Sequence, residues 1–351
     1  MTSEPMSAAV PEKTAALPLI ISAVLLVVVV VASFRMGRFP VTSHDVFAVV
    51  WAKISGGTAS VEPVVQAVIL NVRLPRVIAG ILVGGALSVA GATYQGMFRN
   101  PLVSPDILGV SAGAGVGAVL GIFLGWSVLA IQGAAFLTGL AAVAGVYGLA
   151  MTMRHQERTL VLVLTGVAVA TLLEAALSVM QLLADPYTQL PTITYWLMGS
   201  LNAASPEDVM VAGPAILLGL IPLWILRWRM NLLCLGDEEA QALGIQTTVF
   251  RAIFIVSATL MTAAAVAISG AHGWRGLGWV GLIIPHIARL LVGPDFTRLL
   301  PISLMLGAAF IVAMDSLARS MGVTEIPLGI LTSVVGVPFF LWLLTSMRRV
   351  W

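Results

Sequence analysis

Ten apolar stretches constrain this chain more than any other feature. Residues 17–34, 77–97, 107–125, 128–150, 160–183, 209–226, 249–270, 277–292, 300–318 and 328–346 each approach the length of a membrane crossing and carry few charges. A helix needs about 20 apolar residues to cross the hydrocarbon layer. A backbone in lipid must satisfy its own polar groups, so ten such stretches specify a helix bundle. With 59% hydrophobic and 10% charged residues among 351, and a mean hydropathy of +1.02, the chain is too apolar for a water-soluble domain. It reads as one all-α polytopic membrane domain over residues 1–351, with a first helix at 17–34, an outer loop at 35–76 and core helices over 77–346. A polar segment at 230–246 interrupts that core. The first apolar stretch is long enough to span and lacks a small-x-small cleavage pattern, so an uncleaved helix is expected.

Charge placement gives the expected orientation. With an even number of crossings and both termini inside, Lys13, Arg99, Arg154, Arg158, Arg227, Arg229, Arg251, Arg289, Arg298, Arg348 and Arg349 fall inside, and Arg35, Arg38, Lys53, Arg73, Arg76, Arg275 and Arg319 outside. The excess of inner cations favours this arrangement, and it leaves Arg73 and Arg76 outside, in need of a partner. The net charge of +2 is scattered over span ends, which does not indicate nucleic acid binding. The lone Cys234 and the four histidines show no metal-ligand spacing. No nucleophile with a base and no paired acids at useful spacing appear, so no catalytic residue is expected.

Small residues predict how the helices pack. Gly109, Gly113, Gly117, Gly121 and Gly125 recur every fourth residue, and Gly80, Gly84 and Ser88 repeat the pattern, which lets backbones approach closely. Thr171, Glu174, Ser178 and Gln181 instead form a polar stripe on one helical face. An ionisable Glu174 at that depth marks either an interior contact or a watered pathway. Asp315 and His286 read as structurally paired groups. Pro327, Gly329, Gly336 and Pro338 predict a short surface helix followed by the last crossing. In "LGDEEAQALGIQ", Asp237 is a candidate N-cap, Glu238 and Glu239 suit a first turn, and Gly244 suits a C-terminus, predicting a short helix between two spans.

The stretches "RLPRVIAGILVGGALSVAGATYQGMFRNPLVSPDILGVSAGAG", "YWLMGSL", "LGDEEAQALGI", "GWVGLIIPHIARLLVGPDFTRLLPISLMLGA", "DSLAR" and "EIPLGILTSVVGVPFFLWLL" together resemble the permease subunits of type II ABC importers, the family of the vitamin B12, haem and iron-siderophore permeases. The resemblance runs from about Arg73 to the C-terminus. It implies a ten-helix subunit in a bacterial or archaeal cytoplasmic membrane, paired with a second copy of itself around a substrate path. Two cytoplasmic ATPase subunits would drive that path, and a periplasmic binding protein would deliver the cargo. The chain would bind no cofactor, leaving ATP and Mg to the ATPase. Independently, its two lysines, Lys13 and Lys53, follow no glycine, so no P-loop is present.

By the same resemblance, Gly236, Asp237, Glu238, Glu239, Ala240, Leu243 and Gly244 form the ATPase-coupling segment, against the alternative of a solvated loop helix. Arg73, Arg76 and Arg319 would project outward to receive acidic residues of the binding protein, against snorkelling to lipid headgroups. Asn100 and Leu102 would narrow the inner exit, against simple helix punctuation by Pro101 and Pro105. His272, Trp274 and Arg275 depart from the usual small apolar approach to "GLIIPH", as a selective feature or a local variation in a surface turn. Iron-siderophore is the leading cargo, before haem, cobalamin and molybdate. A second reading needs no ATPase: an ion- or proton-coupled secondary transporter in which Glu174 carries the proton.

Overall fold

The computed structural model describes residues 12–58, 60–153, 158–270, 278–322 and 324–347, and every regular element among them is helical. His272, Trp274 and Arg275 lie outside the described residues. In chain order the helices are α1 (Glu12–Arg35), α2 (Ser43–Ser55), α3 (Pro63–Ala67), α4 (Leu74–Met97), α5 (Val110–Phe123), α6 (Val128–Thr152) and α7 (Arg158–Leu183). They continue with α8 (Gln189–Met198), α9 (Pro206–Leu233), α10 (Asp237–Ala242), α11 (Thr247–Ser269), α12 (Gly278–Val292), α13 (Phe296–Ser320) and α14 (Leu328–Met347). Among the described residues, seven helices are long and apolar enough to cross a membrane, and three shorter apolar helices, α5, α12 and α14, stand where the remaining crossings are expected. Successive crossings alternate in direction. Arg35, Arg73, Arg76 and Arg319 therefore gather at one end of the bundle, and α10, Arg99 and Asp295 at the other.

The short crossings have a physical reason. At 1.5 Å per residue, the 14 residues of α5 and 15 of α12 reach only about 21–23 Å, less than the hydrocarbon thickness. The chain after α4 makes up the difference by folding back into the bundle. Its 3-10 turn Pro105–Leu108 lies against α12, where a Cβ on Gly281 would overlap the Pro105 ring. Val103, Pro105 and Leu108 are buried, and the Asp106 carboxylate accepts the Ser111 N–H at 2.8 Å, so this irregular backbone meets protein rather than lipid.

Helix α4 is the hub, buried nearly all round. Within both small-residue stripes helices pack as the spacing predicts, Gly84 meeting the backbone of Gly307 on α13 and Gly113 and Gly117 meeting α6 at Thr138 and Ala134; outside the stripes, Gly91 meets the backbone of Gly281 on α12. A Cβ at any of these glycines would overlap its neighbour. Without such close approach, apolar helices in lipid gain little by associating.

Three expectations need correction. Residues 35–76 are not a loop: α2 forms under a Thr42–Asp45 capping box, and α3 runs through a π-helical turn, Val68–Arg73, into α4. There Leu74 N–H bonds the Ile69 carbonyl, and this wider turn directly precedes Pro75, which has no N–H to give. Helix α9 carries on through Arg227 to Leu233, so the polar segment is shorter than its composition suggests. Residues 328–347 form one helix with Pro338 inside it, and no separate surface helix precedes it. A short helix, α8, instead precedes α9.

Candidate functional site

At the arginine end, sequence-distant cations converge on two carboxylates. Arg76 Nε donates to both oxygens of Asp315, at 2.8 and 3.0 Å, and its other nitrogens reach Glu325 at 2.8 and 3.2 Å and Asn202 at 3.4 Å. Arg319, one turn beyond Asp315 on α13, pairs with it at 3.1 Å and donates to Ser33 Oγ on α1 at 2.8 Å. Arg73 donates to the carbonyls of Phe34 and Phe39, in a cradle that the chain makes by turning at Gly37, φ +135°. The three arginines do not project from the bundle: Arg73 and Arg76 are 3% exposed and Arg319 6%. The reason is electrostatic. A buried carboxylate at Asp315 costs several kcal/mol unless paired, and two guanidinium groups supply the pairing with fixed donor geometry. The network ties α1, α4, the turn after α8 and α13 at one level of the bundle. Asp315 is thus paired, as its sequence context suggests.

At the opposite end, α10 stands between α9 and α11. Gly236 (φ +142°) is its N-cap and no side chain caps it; Asp237 occupies the first helical position and forms a two-pronged bridge to Arg251 on α11, at 2.6 and 3.0 Å. The expectation that Asp237 caps the helix is therefore corrected, because its carboxylate finds a cation instead. The C-terminus closes as expected. Gly244 (φ +81°) lets its N–H bond Gln241 O and the Ile245 N–H bond Ala240 O, a Schellman arrangement with Ala240 and Ile245 buried beneath it. Ala240 roots the helix, while Glu238, Glu239 and the 59% exposed Leu243 face outward. Beside it, Asp295 caps α13 and accepts from Asn231 on α9 at 2.7 Å, while Asn231 accepts the Phe296 N–H at 2.9 Å. Burial would raise the Asp295 carboxyl, but bonds from Thr297 and Asn231 and the nearby Arg298 outweigh it and hold the group below its ordinary value.

Asn100 and Leu102 sit in the turn after α4 at this same end. Asn100 Oδ1 accepts the Leu102 N–H at 2.9 Å, both residues are exposed, and Arg99 takes a left-handed backbone, φ +49°. The polar stripe of α7 faces away from α5 and α6: Thr171, Glu174 and Ser178 are exposed and Gln181 half-buried. The hydroxyls of Thr171 and Ser178 bond carbonyls of their own helix, which leaves the Glu174 carboxylate as the charged group on this open face. Exposed Leu172, Val179 and Leu182 flank it. The stripe is thus not brought together with the arginine cluster or with α10.

Sequence reasoning missed Glu325, Asn202, Ser33, Arg251, Asn231 and Asp295. The four-residue spacing of Asp315 and Arg319 would have signalled their pair; partners separated by 60 or more residues, such as Asn231 and Asp295, leave no local signal.

The sequence profile of the FecCD transport family matches residues 25–346. The chain is 38% identical over 325 residues to the molybdate import system permease protein MolB of Haemophilus influenzae, covering 93% of this chain and 94% of that one. It is 43% identical over 280 residues to the cobalamin import system permease protein BtuC of Halobacterium salinarum, covering 80% and 73%. A solved structure described as an inward-facing conformation of a metal-chelate type ABC transporter superposes with a TM-score of 0.81 at 36% identity, over 93% of this chain and 98% of that one.

Proposed function

Because the chain belongs to the FecCD transport family, a family of multi-pass ABC permease subunits, we propose that it is the membrane half of an ATP-driven importer for a metal chelate. Iron-siderophore is the cargo to test first, against haem, cobalamin and molybdate. The observation that carries the reading is α10: a short helix fixed to the bundle by Ala240 and the Asp237–Arg251 bridge, with Glu238, Glu239 and Leu243 turned outward. A helix so rooted transmits a push to α9 and α11 instead of bending away from it. We assign it the seat in a partner ATPase, which holds the ATP and Mg, and accordingly place the α10 end in the cytoplasm.

The open, partly polar face of α7 suits a substrate path shared with a second copy of the chain, with Glu174 wetted rather than held against lipid. Asn100 and Leu102 stand where that path would narrow. At the arginine end, a binding protein would dock by offering carboxylates to Arg76, Arg73 and Arg319 in exchange for Glu325 and the Phe34 and Phe39 carbonyls. Forked guanidinium donors suit such an exchange.

The test is reconstitution with the cognate ATPase and binding protein in vesicles. Glu238→Arg with Leu243→Ser should abolish ATP-driven uptake while the membrane domain keeps its melting temperature. Undiminished uptake by that variant, or gradient-driven uptake by the chain alone, would refute the assignment and favour a Glu174-coupled carrier.

A further inference from the structure

Helix α2 has two opposed apolar faces, and only one has a partner among the described residues. Val49 and Ala52 are buried, and Val49 shares a packed cluster with Phe34 in the last turn of α1, Val77 in the first turns of α4, and Val312 on α13. The opposite face presents Phe47 (67% exposed), Val50, Trp51 (61%) and Ile54 (75%), spaced three and four apart and so on one side of the helix. The Phe47 and Trp51 rings stack on this outer side, centroids 6.1 Å apart. Lys53 lies beside the stripe.

We propose that α2 is an interfacial anchor, its outward face seated in the headgroup-to-acyl boundary of the bilayer at the arginine end. Depth supports lipid as the occupant. The cluster beneath Val49 joins the last turn of α1 and the start of α4 to Val312, about two turns inside the end of α13, which puts α2 near the level where these helices leave the hydrocarbon. Continuity supports it as well: the adjoining α1 exposes Val24, Val27, Val28 and Val31, an apolar surface suited to lipid tails. The helix packs against α1 and α3, on the side of the bundle away from the α7 stripe. Indole and phenyl rings favour this boundary, and a lysine beside them reaches phosphate. Helices of this kind bury their apolar side about 5–10 Å into the boundary. The inference rests on membrane embedding alone and stands whatever the cargo or energy source.

Spin labels on the full chain in phosphatidylcholine nanodiscs test it, in a Cys234→Ser background carrying Phe47→Cys, Trp51→Cys or Ile54→Cys, with Gly57→Cys in the following turn as the aqueous reference. The expected result is an oxygen-to-nickel-chelate accessibility ratio several-fold higher at the three helix sites than at 57. Ratios equal to the reference would place the face in water, and labels shielded from both reagents would place it against protein; either overturns the proposal. A second measurement leaves α2 intact. Brominated acyl chains should quench the part of the tryptophan emission that Trp51→Phe removes, and an unquenched difference spectrum would also overturn it.

Discussion

Replacing Asp315 with asparagine removes one charge and almost no volume, so it isolates the electrostatics of the arginine cluster. In the wild type the carboxylate is 2% exposed and holds Arg76 and Arg319 at 2.8 and 3.1 Å. Asp315→Asn leaves both guanidinium groups buried; Arg76 keeps Glu325, but Arg319 keeps only hydroxyl and carbonyl partners. Uncompensating a buried pair costs about 3–5 kcal/mol, and the surviving Glu325 places this case near 3 kcal/mol. The melting temperature in nanodiscs should then fall by roughly 4 °C. The quadruple variant Arg76→Met, Asp315→Leu, Arg319→Met, Glu325→Gln removes all four charges together and should recover most of that loss, since well-packed neutral replacements of buried ion networks cost little. A melting temperature for Asp315→Asn within about 1 °C of wild type, on the same scale, would refute the view that these arginines are counter-ions of a buried carboxylate.

Backbone packing offers a second perturbation: Gly84→Val should destabilise by about 1–3 kcal/mol, seen as a lower melting temperature, because its branched side chain must separate α4 from the Gly307 carbonyl on α13. Gly244→Ala meets no atom within 4 Å, so its cost is conformational alone, about 1–2 kcal/mol from φ +81°, and a hydrogen-exchange measurement should show faster exchange confined to α10. For Asp295, whose folded carboxyl is held below its ordinary value, the stabilisation is complete above the unfolded value and fades as pH falls through the folded one. The difference in melting temperature between wild type and Asp295→Asn should therefore be level from neutral pH to about 5 and shrink below about 4.

The α10 end was legible because its information is local. Glycine where φ is positive and acids in a first turn are set within ten residues; only the role of Asp237 differs, a bridge to Arg251 fourteen residues away in place of an N-cap. The arginine end was half legible: the motif marked Arg73, Arg76 and Arg319, yet apart from Asp315 one turn before Arg319 nothing near them in sequence said that they turn inward. Residues 35–76 were misread because the second apolar face of α2 is too short to score as a crossing and too interrupted to score as a core helix.

By itself, the sequence determined the all-helical membrane fold, the glycine and serine positions that let helices touch, the family, and the closure of α10. These depend on hydropathy, side-chain size and backbone freedom over a few turns of chain. Only the tertiary structure decided which charge faces which. Arg76 meets an aspartate 239 residues away and a glutamate 249 away, and the α7 stripe opens away from α5 and α6. Such pairings are fixed by where whole helices pack, and the energy of a buried charge depends on those neighbours far more than on the residues beside it in the chain.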